Sequence, residues 1–108
     1  MTSKLVALYR KPEDVAAFDK TYFEVHLPLA NKMPGLMETR VMRLQKNIMG
    51  NEPPYYLIAE LIFKDEAALK AAMASPEGKA AADNLMGFAG KIVTLLIAEE
   101  ATSAVVTV

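Results

Sequence analysis

YYLIAELIF at Tyr55–Phe63 is the strongest strand signal in the chain, and it is apolar on both of its faces. Successive side chains of a strand point to opposite sides of a sheet. One face carries Tyr55, Leu57, Ala59, Leu61 and Phe63, and the other carries Tyr56, Ile58, Glu60 and Ile62. A strand with one face in water alternates apolar with polar residues, so both faces of this strand are predicted to be covered.

The residues after this strand predict two helices and a last strand. Asp65 can cap a helix that runs to about Ala74. Ser75-Pro76-Glu77 then starts another helix with an N-cap, a proline and an acid in the first turn, and this helix continues through Phe88. Ile92–Glu99 is predicted to be the final strand, and it is also apolar on both faces.

Two further strands precede Tyr55–Phe63. Lys4–Arg10 (KLVALYR) and Leu36–Gln45 are the candidates, and Lys46–Pro54 is predicted to be the loop that joins the latter to Tyr55–Phe63.

An amphipathic helix is predicted between the first two strands. Its apolar residues recur at spacings of three and four: Val15, Phe18, Tyr22, Val25 and Leu29. Pro28 lacks a backbone donor, so the helix should loosen around His26–Leu27, and Pro34-Gly35 should end it.

If the two consecutive helices after Tyr55–Phe63 are counted as one helical segment, the resulting order is β-α-β-β-α-β. This is the split βαβ arrangement of α+β proteins, a four-stranded antiparallel sheet with both helical segments on one face. The helices can cover only that face, whereas the third and fourth strands are apolar on both. A second copy of the chain is the simplest cover for the other face, which would give a homodimer built as a dimeric α+β barrel. A cleft between sheet and helices could hold a small apolar ligand. We predict one domain over residues 1–100 and a tail over 101–108 that could add a strand at the dimer.

The composition argues against several functional classes. The chain has 108 residues, of which 53% are apolar and 23% charged, with a formal net charge of -1. Lys and Arg are balanced by Asp and Glu, so nucleic acid is not an expected partner. The apolar run near Met1 is too short for a signal peptide or a membrane span, so no membrane partner is expected. Because cysteine is absent, a cytoplasmic protein is predicted.

His26 is the single histidine and the first candidate for acid–base chemistry near neutral pH. It follows Tyr22 by four residues and lies just before Pro28, where freed backbone carbonyls could fix its tautomer. We predict His26 as a catalytic base and Tyr22 as the residue that orients it. The alternative is that His26 only bonds a freed carbonyl or packs at the dimer interface.

Tyr9, Tyr56 and Glu60 are candidate ligand contacts. The tyrosines offer phenolic hydroxyls, although most such tyrosines pack in cores. Glu60 lies in an apolar strand, which is costly unless the carboxylate borders a wet cavity or is paired. Its alternative is an ion pair with Arg40 or Arg43 on a neighbouring strand. No phosphate-binding glycine loop, dinucleotide fingerprint or strong metal-ligand pattern occurs, so no cofactor and no metal are expected.

Tyr22–Leu36 (YFEVHLPLANKMPGL) resembles the signature of the EthD family, in which a histidine before Pro-Leu is followed by Pro-Gly. The resemblance extends from Lys4 to about Glu99 and leaves the tail uncovered. It includes KLVALYRKPED near the start, YYLIAELIF in the centre, SPEGKAAADNL at Ser75–Leu85 and TLLIAE at Thr94–Glu99.

This resemblance implies a ferredoxin-like fold and the dimeric α+β barrel. It marks His26 as the site candidate, Tyr22 as a lesser one, and Pro28, Pro34 and Gly35 as shape-setting residues. The wider superfamily includes cofactor-free oxygenases, lactone isomerases and haem enzymes, and the family's namesake has an accessory role. The resemblance is therefore compatible with a cofactor-independent oxygenase, isomerase or lyase acting on a small apolar or aromatic molecule, or with a non-catalytic binding or accessory protein.

Overall fold

The computed structural model describes residues 1–107, and within them it confirms the β-α-β-β-α-β order. The strands are β1 Ser3–Tyr9, β2 Glu38–Arg43, β3 Leu57–Phe63 and β4 Val93–Glu99. The helices are α1 Val15–Thr21, a π-helical turn at Tyr22–His26, α2 Leu27–Ala30, α3 Glu66–Ala74 and α4 Pro76–Ala89. The strand predictions were correct in order and one or two residues too long at several ends.

The sheet is antiparallel with the order β2-β3-β1-β4, so β1 and β3 are central. Leu5, Ala7 and Tyr9 of β1 lie opposite Leu61, Ala59 and Leu57 of β3, on the side that the helices cover. This side, with the buried faces of the helices, forms the core. The predicted α+β fold is therefore confirmed, with its helices on one face.

The first helix loosens next to Pro28, as predicted, but it does so by inserting a π-helical turn. The amide of Leu27 bonds the carbonyl of Tyr22, five residues back, and the helix then continues to Ala30. A π-turn holds one residue more than an α-turn, so it rotates the residues that follow. The prediction that Val25 continues the buried stripe is wrong for this reason: Val25 is 47% exposed and His26, at 7%, is buried in its place.

The two helices of the second crossover begin at the predicted caps. Asp65 accepts a hydrogen bond from the amide of Ala68 at 2.8 Å, and Ser75 accepts one from the amide of Gly78 at 3.0 Å. Helices α3 and α4 approach so closely that Gly78 has no room for a side chain. This contact fixes α4, and with it the residues that α4 presents to the sheet.

The other side of the sheet, here called the open face, is covered by no helix of residues 1–107. Its side chains include Val6 and Leu8 of β1, Ile58 and Ile62 of β3, and Leu96, which is 49% exposed. The tail at residues 101–107 joins no strand within the chain, and Val108 lies outside the described residues. The predicted tail strand at a dimer therefore stays a prediction. No helix within residues 1–107 is long and apolar enough to cross a membrane.

Candidate functional site

A cavity of about 90 Å³ lies between the sheet and the helices, on the helix-covered side. Its walls are almost entirely apolar and include Leu5, Ala7, Ala59, Leu61, Ala81 and Leu85. Three polar side chains line it as well: Tyr9, Tyr22 and His26. The structure thus brings together three of the five residues that the sequence nominated.

The rings of these three residues are in contact. Tyr9 and Tyr22 pack edge to face with ring centroids 5.4 Å apart, and the centroids of Tyr22 and His26 are 5.6 Å apart. Tyr9 comes from the end of β1, whereas Tyr22 and His26 are the first and last residues of the π-turn. Tyr22 and His26, four residues apart in a widened turn, therefore line the same cavity.

The hydroxyls of Tyr9 and Tyr22 have no hydrogen-bond partner among residues 1–107. Each tyrosine is only 1% exposed, yet no fully buried side-chain oxygen or nitrogen in that range lacks a partner. Both hydroxyl oxygens are therefore open to contact with a water molecule, and the cavity is the space that the two side chains line. Two free donors at an apolar cavity are ready to bind an oxygen acceptor.

His26 is held by Asn84 of α4, through a contact of 3.1 Å between His26 Nδ1 and Asn84 Oδ1. Because the amide oxygen accepts, Nδ1 carries the proton and Nε2 has a free lone pair. Burial lowers the pKa of His26, although the bond to Asn84 opposes the shift. At neutral pH the imidazole is therefore neutral, with Nε2 available as a base.

Asn84 is the site residue that sequence reasoning missed, and a backbone carbonyl freed by Pro28 does not hold His26. The available signal was weak: Asn84 directly precedes Leu85, which is buried, in a helix rich in alanine. The side-chain amide of Asn84 lies at the edge of the apolar stripe of α4, from which it reaches a polar group in the core. Its partner, His26, lies 58 residues away in the sequence.

The phenols are neutral donors over the whole physiological range. Burial raises the pKa of Tyr22 to about 12. Burial, together with the neighbouring Tyr22, raises the pKa of Tyr9 still further. The site therefore combines two neutral O–H donors with one neutral base.

Tyr56 and Glu60 are not part of this cavity. The Tyr56 hydroxyl donates to the carboxylate of Asp19, with oxygens 2.8 and 3.0 Å away. Glu60 lies on the open face and pairs with Lys4 of β1 at 3.3 Å. The structure thus does not place either residue near His26.

The alternative predicted for Glu60, an ion pair with Arg40 or Arg43, is wrong. Arg40 lies opposite Glu60 on β2, but its side chain pairs with Glu38. Arg43 pairs with Asp19 at 3.3 Å. Within residues 1–107 no cluster of three or more His, Cys, Asp or Glu side chains could hold a metal ion.

The lowered pKa of His26 predicts a pH-dependent stability. Above about pH 6.5, the pKa of an unfolded histidine, both states are neutral at this position. As the pH falls below that value, the unfolded chain binds a proton that the folded chain resists, so the free energy of unfolding falls until the folded pKa is passed.

We expect His26→Gln to remove the part of the pH dependence of stability that is due to His26. Urea unfolding of both proteins at pH 7.5 and pH 5.5 measures it, because the carboxylates contribute equally to both. If the wild type and His26→Gln lose the same free energy of unfolding between pH 7.5 and pH 5.5, His26 is protonated equally in the folded and unfolded states.

The family model of the EthD domain matches residues 10–92. The chain belongs to the EthD family. A protein of Rhodococcus erythropolis, an uncharacterised 11.0 kDa protein of the thcB-thcC intergenic region, is 35% identical over 99 residues, covering 92% of this chain and 95% of that protein.

Solved structures agree with this assignment. An EthD family protein from Bacillus halodurans C-125 is 46% identical, with a TM-score of 0.89 over 93% of this chain and 99% of the other. SnoaB, a cofactor-independent oxygenase from Streptomyces nogalater, is 15% identical with a TM-score of 0.69, covering 94% and 95%. A dimeric ferredoxin-like protein of unknown function from Jannaschia sp. CCS1 is 19% identical with a TM-score of 0.67, covering 93% and 100%. The last two share the ferredoxin-like fold with this chain.

Proposed function

We propose that this EthD-family protein binds a small, largely apolar molecule carrying an oxygen function, and that His26 removes a proton from it as a general base. The observation that supports this is the set of three polar side chains that line an apolar cavity, His26, Tyr9 and Tyr22, together with the contact of Asn84 with Nδ1 of His26, which leaves Nε2 for the substrate. A base beside two neutral donors suits a substrate whose oxygen gains negative charge when the proton leaves.

In the proposed step, a C–H or O–H proton of the substrate passes to His26 Nε2. The electron pair of the broken bond stays on the substrate, which becomes an enolate or a phenolate. The oxygen of this anion accepts hydrogen bonds from the hydroxyls of Tyr22 and Tyr9. Asn84 keeps the proton on Nδ1 and so keeps the lone pair of Nε2 free. The anion and the imidazolium then stabilise each other in a site of low dielectric constant.

The walls of the cavity favour one substrate class. Because no charged side chain lines it, a neutral molecule is favoured. Its volume of about 90 Å³ is well below the roughly 300 to 1,000 Å³ of drug-sized ligand sites. A single ring with one oxygen substituent, such as a cyclic ketone, a lactone or a phenol, is the class proposed for the cavity itself. The step needs no cofactor, and SnoaB is a cofactor-independent oxygenase of the same fold.

A second candidate is a binding protein without catalysis, in an accessory role. Burial that lowers the pKa of His26 also disfavours the imidazolium that base catalysis must form. The same three polar groups would then only orient the ligand.

Isotope exchange of a carbon acid separates the two candidates. We expect the protein to accelerate exchange of the α-hydrogens of cyclohexanone in deuterated water. His26→Gln should lower that acceleration about 100-fold or more. Tyr22→Phe should lower it about 10-fold or more, because one oxyanion donor is lost. Tyr55→Phe, which removes a phenol outside the cavity, is the matched control and should leave exchange unchanged.

The non-catalytic role predicts another pattern. Cyclohexanone or phenol would raise the melting temperature by mass action without any exchange above buffer, and His26→Gln would only weaken that shift. Exchange that persists in His26→Gln would contradict a role for His26 as the base.

We also propose that two copies of the chain pair through their open faces. The support is the apolar surface of that face, above all Leu96 of β4, and the dimeric ferredoxin-like protein from Jannaschia with the same fold. A cytoplasmic location remains part of the proposal, on the ground of the cysteine-free sequence.

A further inference from the structure

We infer that the His26 cavity opens between α3, α4 and β4, and that its substrate carries, opposite its oxygen, an apolar group that lies in this opening. The inference rests on the proposed function and extends it to the shape of the substrate. It assigns a binding role to three apolar side chains at the opening: Met73, Ala82 and Leu95.

The opening is located by residues that line the cavity and are also exposed. Met73 of α3 and Leu95 of β4 line the cavity and are 40% and 39% exposed. Ala82 of α4 lines it too and is exposed as well. These three residues come from three different elements, so together they surround the passage from the cavity to the solvent.

The place of β4 in the sheet explains why the cavity is open there. β4 is an edge strand, and its Leu95 and Ile97 lie opposite Ala7 and Leu5 of β1, on the side that the helices cover. Both are nevertheless exposed, so the helices leave this edge of the sheet partly uncovered. The boundary between α3 and α4 is closed where the two helices touch at Gly78.

The distribution of polar groups gives the orientation of the substrate. Tyr9, Tyr22 and His26 are buried, whereas the residues at the opening are apolar. The oxygen of the substrate therefore binds at the buried end, and the opposite side of its ring faces the opening. An apolar group on that side would contact Met73 and Leu95, which removes apolar surface from water.

The cavity volume of about 90 Å³ limits how much of the substrate lies inside. A single ring fills this space, so a chain of several carbon atoms fits only where the cavity is open. The opening is on the helix-covered side, whereas the proposed dimer pairs the other side of the sheet. Each copy in the dimer therefore keeps its own opening.

The first test compares phenol with two isomers of equal composition, 4-propylphenol and 2-propylphenol. Binding is followed by NMR of the imidazole of His26, which is unambiguous because the chain has one histidine. We expect the wild type to bind 4-propylphenol about threefold or more tightly than phenol, because the propyl group lies in the opening. The isomer 2-propylphenol should bind about tenfold or more weakly than 4-propylphenol, because its chain is directed at Tyr9 and Tyr22.

The second test fills the opening. Met73→Trp and Ala82→Trp should each lower the affinity for 4-propylphenol about tenfold or more and leave the affinity for phenol, which lies inside the cavity, unchanged. Met86→Trp is the matched control, since Met86 is an exposed methionine of α4 that does not line the cavity. It should change neither affinity. Binding of phenol as in the wild type also shows that each variant is folded.

Two results would overturn the opening. One is equal affinity of the wild type for the two propylphenols, and the other is an unchanged ratio of the affinities for 4-propylphenol and phenol in both Met73→Trp and Ala82→Trp. Phenol still binds in either case, so only the opening fails. If none of the three phenols binds the wild type, the proposed function fails and the opening fails with it.

Discussion

Gly78→Ala is expected to lower the free energy of unfolding by about 3 kcal/mol, through one added methyl group. That methyl would overlap the carbonyl oxygen of Ala72, and it would lie 2.8 and 2.9 Å from the oxygen and Cα of Met73. All three atoms belong to the backbone of α3, so no side-chain rotation can relieve the overlap. The two helices must move apart, and α4 carries Asn84, which holds His26.

Gly87→Ala is the matched control, since Gly87 lies in the same helix. Its added methyl would meet nothing within 4 Å. Alanine there should stabilise the protein by about 0.5–1 kcal/mol, because it restricts the unfolded chain and favours the helix. Urea unfolding followed by circular dichroism measures both variants. A Gly78→Ala variant that is as stable as the wild type, or that gains stability as Gly87→Ala does, would show that α3 and α4 do not meet at Gly78.

The strand pattern and the helix caps allowed the fold to be predicted from the sequence. Tyr55–Phe63 and Ile92–Glu99 are apolar on both faces, and this predicted a sheet with one face covered by helices and the other by a second copy of the chain. Asp65 and Ser75 marked the two helix starts of the second crossover, where the structure has them. These signals are local, so a single sequence carries them.

The site was only partly accessible, because it depends on the helix register and on distant contacts. A helix of constant period turns Val25 inward, whereas the π-turn at Tyr22–His26 exposes Val25 and buries His26. The resemblance to EthD proteins pointed to His26 but gave no direction for its ring. Asn84 could be paired with His26 only once α4 was placed against the first helix.

Glu60 illustrates the same limit within the sheet. A carboxylate in an apolar strand predicts a partner on a neighbouring strand, but the choice depends on strand order and side-chain reach. β3 has two neighbours, β2 and β1, and the partner is Lys4 on β1. The ion pair lies on the open face, where a second copy of the chain is proposed to pack.

Leu96→Glu is expected to convert the proposed dimer to a monomer at micromolar concentration. Leu96 lies on the open face of β4, opposite Val6 of β1, and is 49% exposed in the single chain. In a two-fold dimer the change would bury two carboxylates in an apolar interface. The nearby Lys4 is already paired with Glu60 at 3.3 Å and lies 4.0 Å from Glu100, so neither new charge gains a free partner there.

Desolvation of two unpaired carboxylates should raise the dissociation constant about 100-fold or more, which corresponds to about 3 kcal/mol. Val25→Glu is the matched control, since Val25 is 47% exposed but belongs to the helical layer. Light scattering after size-exclusion chromatography should give a dimer for the wild type and Val25→Glu, and a monomer for Leu96→Glu. A wild type that is monomeric at this concentration would contradict the dimer. Dimers of Leu96→Glu as tight as the wild type would instead place the interface away from the open face, because an apolar seam cannot take up two charges without loss of affinity.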